Sequence, residues 1–319
     1  MIFEKHVVKM YKGMMHTRCD DTETVFYFSA SDFPNLQADA YPFTSSEGNT
    51  LQGYIYSYEN PVANRLVVFD HGFGGGHRAY MKEIEMLCRH GFTVFAYDHT
   101  GCMESGGKTP GGLAHSLCDL NDAITTIKND SRFQGFDISV MGHSWGAFST
   151  LNITALHPEI SHIVAMCGFV SVEEMTKTFF TGLMKGYRKA ILKLETESNP
   201  NFVNYNAVET LSSSQTKALL IYSEDDPMCR RVHHDILKEK LDGKENIRII
   251  LCKNKGHNPN YTEEAVKLLN DFGKQRAALA RNKKATKQDK EAFVKSFDWN
   301  AMTIQDDAVW KEIFDHLDH

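Results

Sequence analysis

The 319-residue chain has no C-x-x-C pair, no H-E-x-x-H spacing and no long unbroken apolar run. Each absence removes a class of protein. The seven cysteines (Cys19, Cys88, Cys102, Cys118, Cys167, Cys229 and Cys252) are odd in number and scattered, several within apolar segments. That pattern suits buried reduced thiols rather than a disulfide framework. His157 and His162 lack a metalloprotease spacing, and the adjacent His233 and His234 face different sides of a helix, so neither a metal nor another cofactor is expected. No segment approaches the ~18 apolar residues of a membrane span. Met1 to His6 lack the basic region and apolar stretch of a secretory signal, so the expected location is the cytoplasm. Neither sign of charge dominates: the net charge is −6, which gives no reason to expect nucleic acid or an acidic membrane surface as partner.

What is present is ordinary globular composition, 42% hydrophobic and 24% charged, with ample length for a large core. The organising stretch is Val140-Met141-Gly142-His143-Ser144-Trp145-Gly146. Gly142 to Gly146 fit G-x-S-x-G, a strand-to-helix turn that holds a serine hydroxyl up at a strained corner. A Cβ at either glycine would collide with the neighbouring arm. The context agrees. Phe136 to Met141 is a short apolar, β-branched run, as a buried parallel strand should be. Ala147 to Leu156 is helical in pattern, and Pro158 stops it.

The rest of the chain repeats this beat. Arg65–Asp70, Phe92–Tyr97, His162–Cys167, Lys217–Ser223 and Ile247–Cys252 read as strands. Arg78–His90, Leu113–Asn129, Arg231–Leu241 and Tyr261–Arg281 read as helices between and after them. Alternation of this kind predicts a mostly parallel sheet with helices on both faces. Tyr41–Thr44 and Leu51–Tyr58, separated by a turn at Glu47-Gly48-Asn49, predict an antiparallel hairpin at a sheet edge. The expected organisation is an N-terminal extension over 1–40, a main domain over 41–281 and a C-terminal helical tail over 282–319. Residues 171–206 break the beat and form a helical insertion, read as a small cap. Trp310, Ile313, Phe314 and Leu317 follow helical spacing, so the tail either packs on the body or joins a second copy in a homodimer.

A serine hydroxyl attacks well only when a base takes its proton, and that base is usually a histidine oriented by a carboxylate. In sheets of this kind the chain order is Ser, acid, His, each on a loop after a strand. The loop after Ser223 carries Glu224, Asp225 and Asp226. Asp226, ahead of Pro227 where the chain turns back, is the first choice; Asp225 is the runner-up and Glu224 the third. After Cys252, His257 is the loop's only histidine. Acyl transfer also needs two backbone N–H groups aimed at a developing oxyanion. Trp145, at a helix start, supplies one, and Phe73 in the glycine-rich loop His71–Gly76 is the best second. That loop lacks the ending of a P-loop and the G-x-G-x-x-G of a dinucleotide site.

These residues resemble the α/β-hydrolase superfamily from about residue 41 to 281. The resemblance rests on His71-Gly72-Phe73-Gly74, Asp98-His99-Thr100-Gly101 with Ser105, the Gly142–Gly146 elbow, Asp226, and Gly256-His257. Within it the chain is similar to the cap-bearing branch of monoacylglycerol-lipase-like, cinnamoyl-esterase-like and serine-aminopeptidase-like enzymes. The resemblance implies an α/β-hydrolase fold with Ser144 as nucleophile, His257 as base, Asp226 as its orienter, and Phe73 and Trp145 as oxyanion donors. Ser223 departs from the family, which usually has glycine there. The expected activity is hydrolysis of small-molecule carboxylic esters, with Phe179, Phe180, Met184 and Tyr187 of the cap lining an apolar acyl or aryl pocket. The alternatives are an aminopeptidase-type peptidase, whose substrate amine would need carboxylates such as Glu173 and Glu174, and a non-catalytic binding protein on the same fold.

Overall fold

The computed structural model describes residues 3–319. Its frame is one eight-stranded sheet. In chain order the strands are β1 (Gln37–Ala40), β2 (Gly53–Ser57), β3 (Arg65–Asp70), β4 (Thr93–Tyr97), β5 (Asp137–His143), β6 (His162–Met166), β7 (Lys217–Ser223) and β8 (Ile247–Cys252). They lie side by side as β1-β2-β4-β3-β5-β6-β7-β8. β1 and β2 pair antiparallel, as do β2 and β4, and every later pairing is parallel. The parallel strands are apolar on both faces because both faces are covered. In β3, Leu66 and Val68 join one core while Val67 and Phe69 join the other.

The helices, from which this cover is drawn, are α1 (Glu4–Met15), α2 (Met81–Arg89), α3 (His115–Asn129), α4 (Trp145–Asn152), α5 (Val172–Phe179), α6 (Arg188–Ser198), α7 (Ala207–Ser213), α8 (Val232–Lys240), α9 (Glu263–Arg281), α10 (Lys287–Lys295), α11 (Trp299–Met302) and α12 (Asp307–Asp318). Leu117, Leu120 and Ile124 of α3 and Phe148 and Leu151 of α4 fill the first core. Ile84 and Leu87 of α2, with Trp310, Ile313 and Leu317 of α12, fill the second. The apolar stripe of the tail helix is therefore spent on the sheet. Asp306 caps α12 by accepting from the N–H groups of Ala308 and Val309.

One expectation needs correcting. Phe43–Thr44 and Thr50–Leu51 do pair, but as a separate two-stranded ribbon. Gly53–Ser57 lies one strand in from the edge, and the edge itself is Gln37–Ala40. All four residues of that edge strand are exposed, so no apolar alternation marks it in the sequence.

The insertion is pinched at its ends by a bridge between Ser171 and Asn206. It holds α5, a short 3-10 turn over Gly182–Tyr187, and α6. Glu195 of α6 is fully buried. Its carboxylate accepts from Tyr11 Oη of α1 at 2.6 Å and from Leu113 N at 2.8 Å, tying the insertion to the N-terminal helix and to the start of α3.

Candidate active site

Because the central strands are parallel and in register, their carboxyl ends line up: Asp70 stands beside Gly142, His143 beside Met166, and Ser223 beside Cys252. The loops that leave these ends carry the polar groups. Ser144 is the first residue past β5 and has φ 56° and ψ −110°, a conformation that L-residues avoid. Its N–H is held by Met166 O at 2.8 Å. A Cβ on Gly142 would overlap Thr150 and the Gly146 backbone, and one on Gly146 would overlap the Asp70 carbonyl. The elbow closes only because both are glycine.

Three side chains from separate loops meet here. His257 Nδ1 lies 2.8 Å from Asp226 Oδ2, and His257 Nε2 lies 2.8 Å from Ser144 Oγ. A carboxylate only accepts, so Nδ1 carries the proton and Nε2 presents a lone pair to the hydroxyl. The Asp226 side chain is buried, while the imidazole remains 21% exposed and open to a reactant. Asp226 Oδ1 accepts from Met228 N at 2.7 Å and Cys229 N at 3.1 Å. Burial alone would raise the Asp226 pKa, but the hydrogen bond and charge of His257 outweigh it and hold the pKa below the ordinary value.

Asp225, the runner-up acid, has a different task. Its Oδ1 accepts from Ser223 Oγ at 2.6 Å, Lys255 N at 3.1 Å and Gly256 N at 3.0 Å. It ties the end of β7 to the loop that carries His257. The serine that stands in place of the family's glycine is one arm of that tie. Glu224 is exposed.

A second set of bonds carries no mark in the sequence. Gly72 N donates to Tyr80 Oη at 3.1 Å, and Tyr80 Oη and His143 Nδ1 lie 2.8 Å apart. His143 Nε2 lies 2.6 Å from the carbonyl of His257. A carbonyl only accepts, so Nε2 carries the proton and Tyr80 donates to Nδ1. Burial, then the nearby charge of His257, lowers the His143 pKa to about 3, so this ring stays neutral and the polarity of the chain is fixed. His143 occupies the variable position ahead of the serine, which by itself assigns it no partner. Tyr80 had no signal, because its partners are distant in sequence.

Beneath the site lies a sealed ionic cluster. His99 Nε2 is 2.8 Å from Asp70 Oδ1, and His99 Nδ1 is 3.2 Å from Asp119 Oδ2. Burial opposes a charge on His99, yet Asp70 and Asp119 together raise its pKa to about 10. His99 N also donates to His71 Nε2 at 2.9 Å, at the root of the glycine-rich loop. Phe73 follows on that loop and packs edge-on against Trp145 at a centroid distance of 5.2 Å. Trp145 is the first residue of α4, so its N–H has no acceptor within the helix. Its indole Nε1 donates to Leu113 O at 2.7 Å.

The insertion residues Phe179, Met184 and Tyr187 are half-buried against the main core, and Phe180 is buried beside Tyr11, their rings 6.2 Å apart. Glu173 and Glu174 both pair with Lys177, at 2.8 and 2.7 Å. Among the described residues, one group of three metal-type donors lies within 4.8 Å, Cys167 with Asp226 and His257. Two of its members already bond to each other, and burial holds the Cys167 thiol protonated, which fits an extension of the Ser144–His257–Asp226 chain better than an ion site. All seven cysteines are free. No helix among the described residues is long and apolar enough to cross a membrane.

The strand order and the polar loops at the strands' carboxyl ends define an α/β hydrolase. More particularly, the chain belongs to the serine aminopeptidase (S33) family, whose sequence model matches residues 61–253. Among curated relatives, the uncharacterised protein YqkD of Bacillus subtilis (strain 168) is 23% identical over 252 residues, spanning 72% of this chain and 76% of the relative. Among solved structures, the Pyrococcus furiosus esterase Pf2001 aligns with a TM-score of 0.58 at 18% identity, covering 82% of this chain and 96% of that one. The acetyl xylan esterase of Paenibacillus sp. R4 aligns with a TM-score of 0.56 at 14% identity, covering 86% and 99%. At such identities the structural likeness speaks for the fold.

Proposed function

We propose that this hydrolase cleaves carboxylic esters of small or medium acyl or aryl groups through an acyl-enzyme on Ser144. The observation that carries this reading is the unbroken hydrogen-bonded chain from Ser144 Oγ through the His257 ring to Asp226. In the first half-reaction the Ser144 proton passes to His257 Nε2 as Oγ bonds to the ester carbon. The carbonyl oxygen becomes an oxyanion facing the N–H groups of Phe73 and Trp145. As the C–O bond breaks, His257 returns its proton to the leaving alcohol. In the second half-reaction water attacks the acyl group, again losing its proton to Nε2, and the acid departs as Ser144 is restored. Asp226 fixes the tautomer throughout and stabilises the transient imidazolium.

A peptidase reading shares this machinery and draws on the family's name. It asks in addition for unpaired carboxylates to hold a substrate amine. Glu173 and Glu174 share Lys177, which favours the ester reading. Turnover of p-nitrophenyl acyl esters against aminoacyl-p-nitroanilides separates the two: the expected result is hydrolysis of the esters, and turnover of the anilides alone would reject the esterase. Failure of a fluorophosphonate to react would instead favour a non-catalytic binder.

A further inference from the structure

Beside the triad lies a cleft that neither the central strands nor the insertion encloses. It holds about 450 Å³ and opens from Phe73 and Gly74 on one side and Asn258, the neighbour of His257, on the other. Its outer wall is made of rings from the two ends of the chain: Phe26 and Phe28 from the segment ahead of β1, Phe272 from α9 and Trp299 from α11. Phe26 meets Phe28 edge-on at 5.0 Å and lies tilted by 35° to Trp299 at 5.9 Å, and Trp299 meets Phe272 edge-on at 4.9 Å.

The segment around Phe26 has no regular secondary structure, yet it is pinned. Arg78 donates from Nε to Phe28 O at 3.2 Å, Tyr27 Oη donates to Asp21 O at 2.8 Å, and Arg276 donates from Nε to Thr24 Oγ1 at 3.1 Å while pairing with Asp21. Irregular chain carries no ladder of its own, so these contacts are what hold the rings in place. They hold Phe26 38% exposed rather than folded into the core. An aromatic ring held partly in water, in a cleft that reaches Phe73 and the neighbour of His257, is preorganised for an apolar occupant. Arg276 is paired with Asp21 and Arg78 donates to the Phe28 carbonyl, so both guanidinium groups are engaged by the segment they pin and the rings make up the apolar part of the wall.

We infer that this cleft is the subsite for a flat, uncharged apolar ring of the substrate, an aryl group carried on either side of the scissile ester. The inference rests on the ester-hydrolase reading and deepens it. The cleft size falls in the range of small-molecule sites, and its walls offer faces and edges that suit another ring better than a flexible chain. It also gives the terminal segments, which lie outside the strands that carry the triad, a part in choosing the substrate.

The test compares 2-naphthyl acetate, with the ring on the alcohol, and ethyl 2-naphthoate, with the ring on the acyl group, each against ethyl acetate. The wild-type protein prefers a ring-bearing ester. Phe26→Ala lowers that kcat/KM ratio by about 3- to 10-fold, and the arm that moves tells which side of the ester the cleft holds. Ala79→Phe, which fills the cleft from an exposed lining position, lowers the same ratio and serves if Phe26→Ala folds poorly. Ratios unmoved in both arms overturn the inference. A readout free of turnover accompanies it: 2-naphthol and 2-naphthoate are titrated into Ser144→Ala protein while tryptophan fluorescence is followed. Saturable quenching by one of them, weakened by Phe26→Ala, upholds the cleft even if no ester is cleaved, in which case only the ester reading falls. Ester cleavage with no ring binding and no change in ratio overturns the cleft and leaves the hydrolase.

Discussion

His99 and His257 both touch aspartate, and they are built for opposite purposes. His99 is sealed between Asp70 and Asp119, and two carboxylates raise its pKa to about 10. It is a fixed cation that braces the root of the glycine-rich loop. His257 touches one carboxylate, offers its second nitrogen to a serine hydroxyl, and stays partly open to solvent. An imidazole with carboxylates at both nitrogens holds its proton and cannot act as a base near neutrality. One with a carboxylate and a hydroxyl can accept a proton and give it back. The chemistry depends on which group faces the second nitrogen and on access.

The contrast breaks most sharply at the Ser144 end. Ser144→Ala or His257→Ala should lower kcat on an ester by on the order of 10⁶-fold. Thermal unfolding should barely move, since both are loop side chains outside the core. Asp226→Asn comes next, with a loss of about 10⁴-fold as the imidazole tautomer inverts. Asp225→Asn should cost only about 10- to 100-fold, by loosening the His257 loop rather than the ring. Steady-state kinetics on the pair settles which aspartate serves His257, and a deader Asp225→Asn would reverse the assignment.

At the sealed end the damage should appear as stability. Asp119→Asn leaves His99 with a single carboxylate and removes charge from the bonds to Thr100 N and Oγ1. Breaking such a buried pair should cost about 3–5 kcal/mol, read from the urea midpoint at pH 7. The pH dependence sharpens the point. The folded pKa of His99 is raised above its unfolded value of about 6.5, so the folded state binds the extra proton between them. Its contribution is complete below pH ~6.5 and drains away as pH climbs towards about 10. Urea midpoints between pH 7 and 9.5 should fall more steeply for the wild type than for Asp119→Asn. Tyr80→Phe should give the smallest effect, a loss in kcat of about 3- to 10-fold, because it removes only the two neutral bonds by which the Tyr80 hydroxyl links Gly72 N to His143.

The parallel part of the fold was legible because it is written in local pattern. Strands buried on both faces need short apolar runs, and each polar loop follows one. The loops that hold Ser144, Asp226 and His257 could be picked for the same reason. What stayed hidden is what local pattern does not encode. The edge strand Gln37–Ala40 is exposed throughout and carries no alternation. The work of Asp225 depends on Lys255 and Gly256, thirty-odd positions away along the chain. Tyr80 reaches His143 only once α2 has packed on the sheet. The wall of Phe26, Phe272 and Trp299 draws its rings from both ends of the chain, so no window of sequence contains it.

The central claim is that Ser144 is made nucleophilic by His257. Its most direct measurement is peptide mass spectrometry after treatment with a fluorophosphonate. The expected result is a phosphonyl adduct on Ser144 in the wild-type protein and none on Ser144 in a folded His257→Ala variant. An adduct on another residue, no adduct at all, or undiminished labelling without His257 would contradict it.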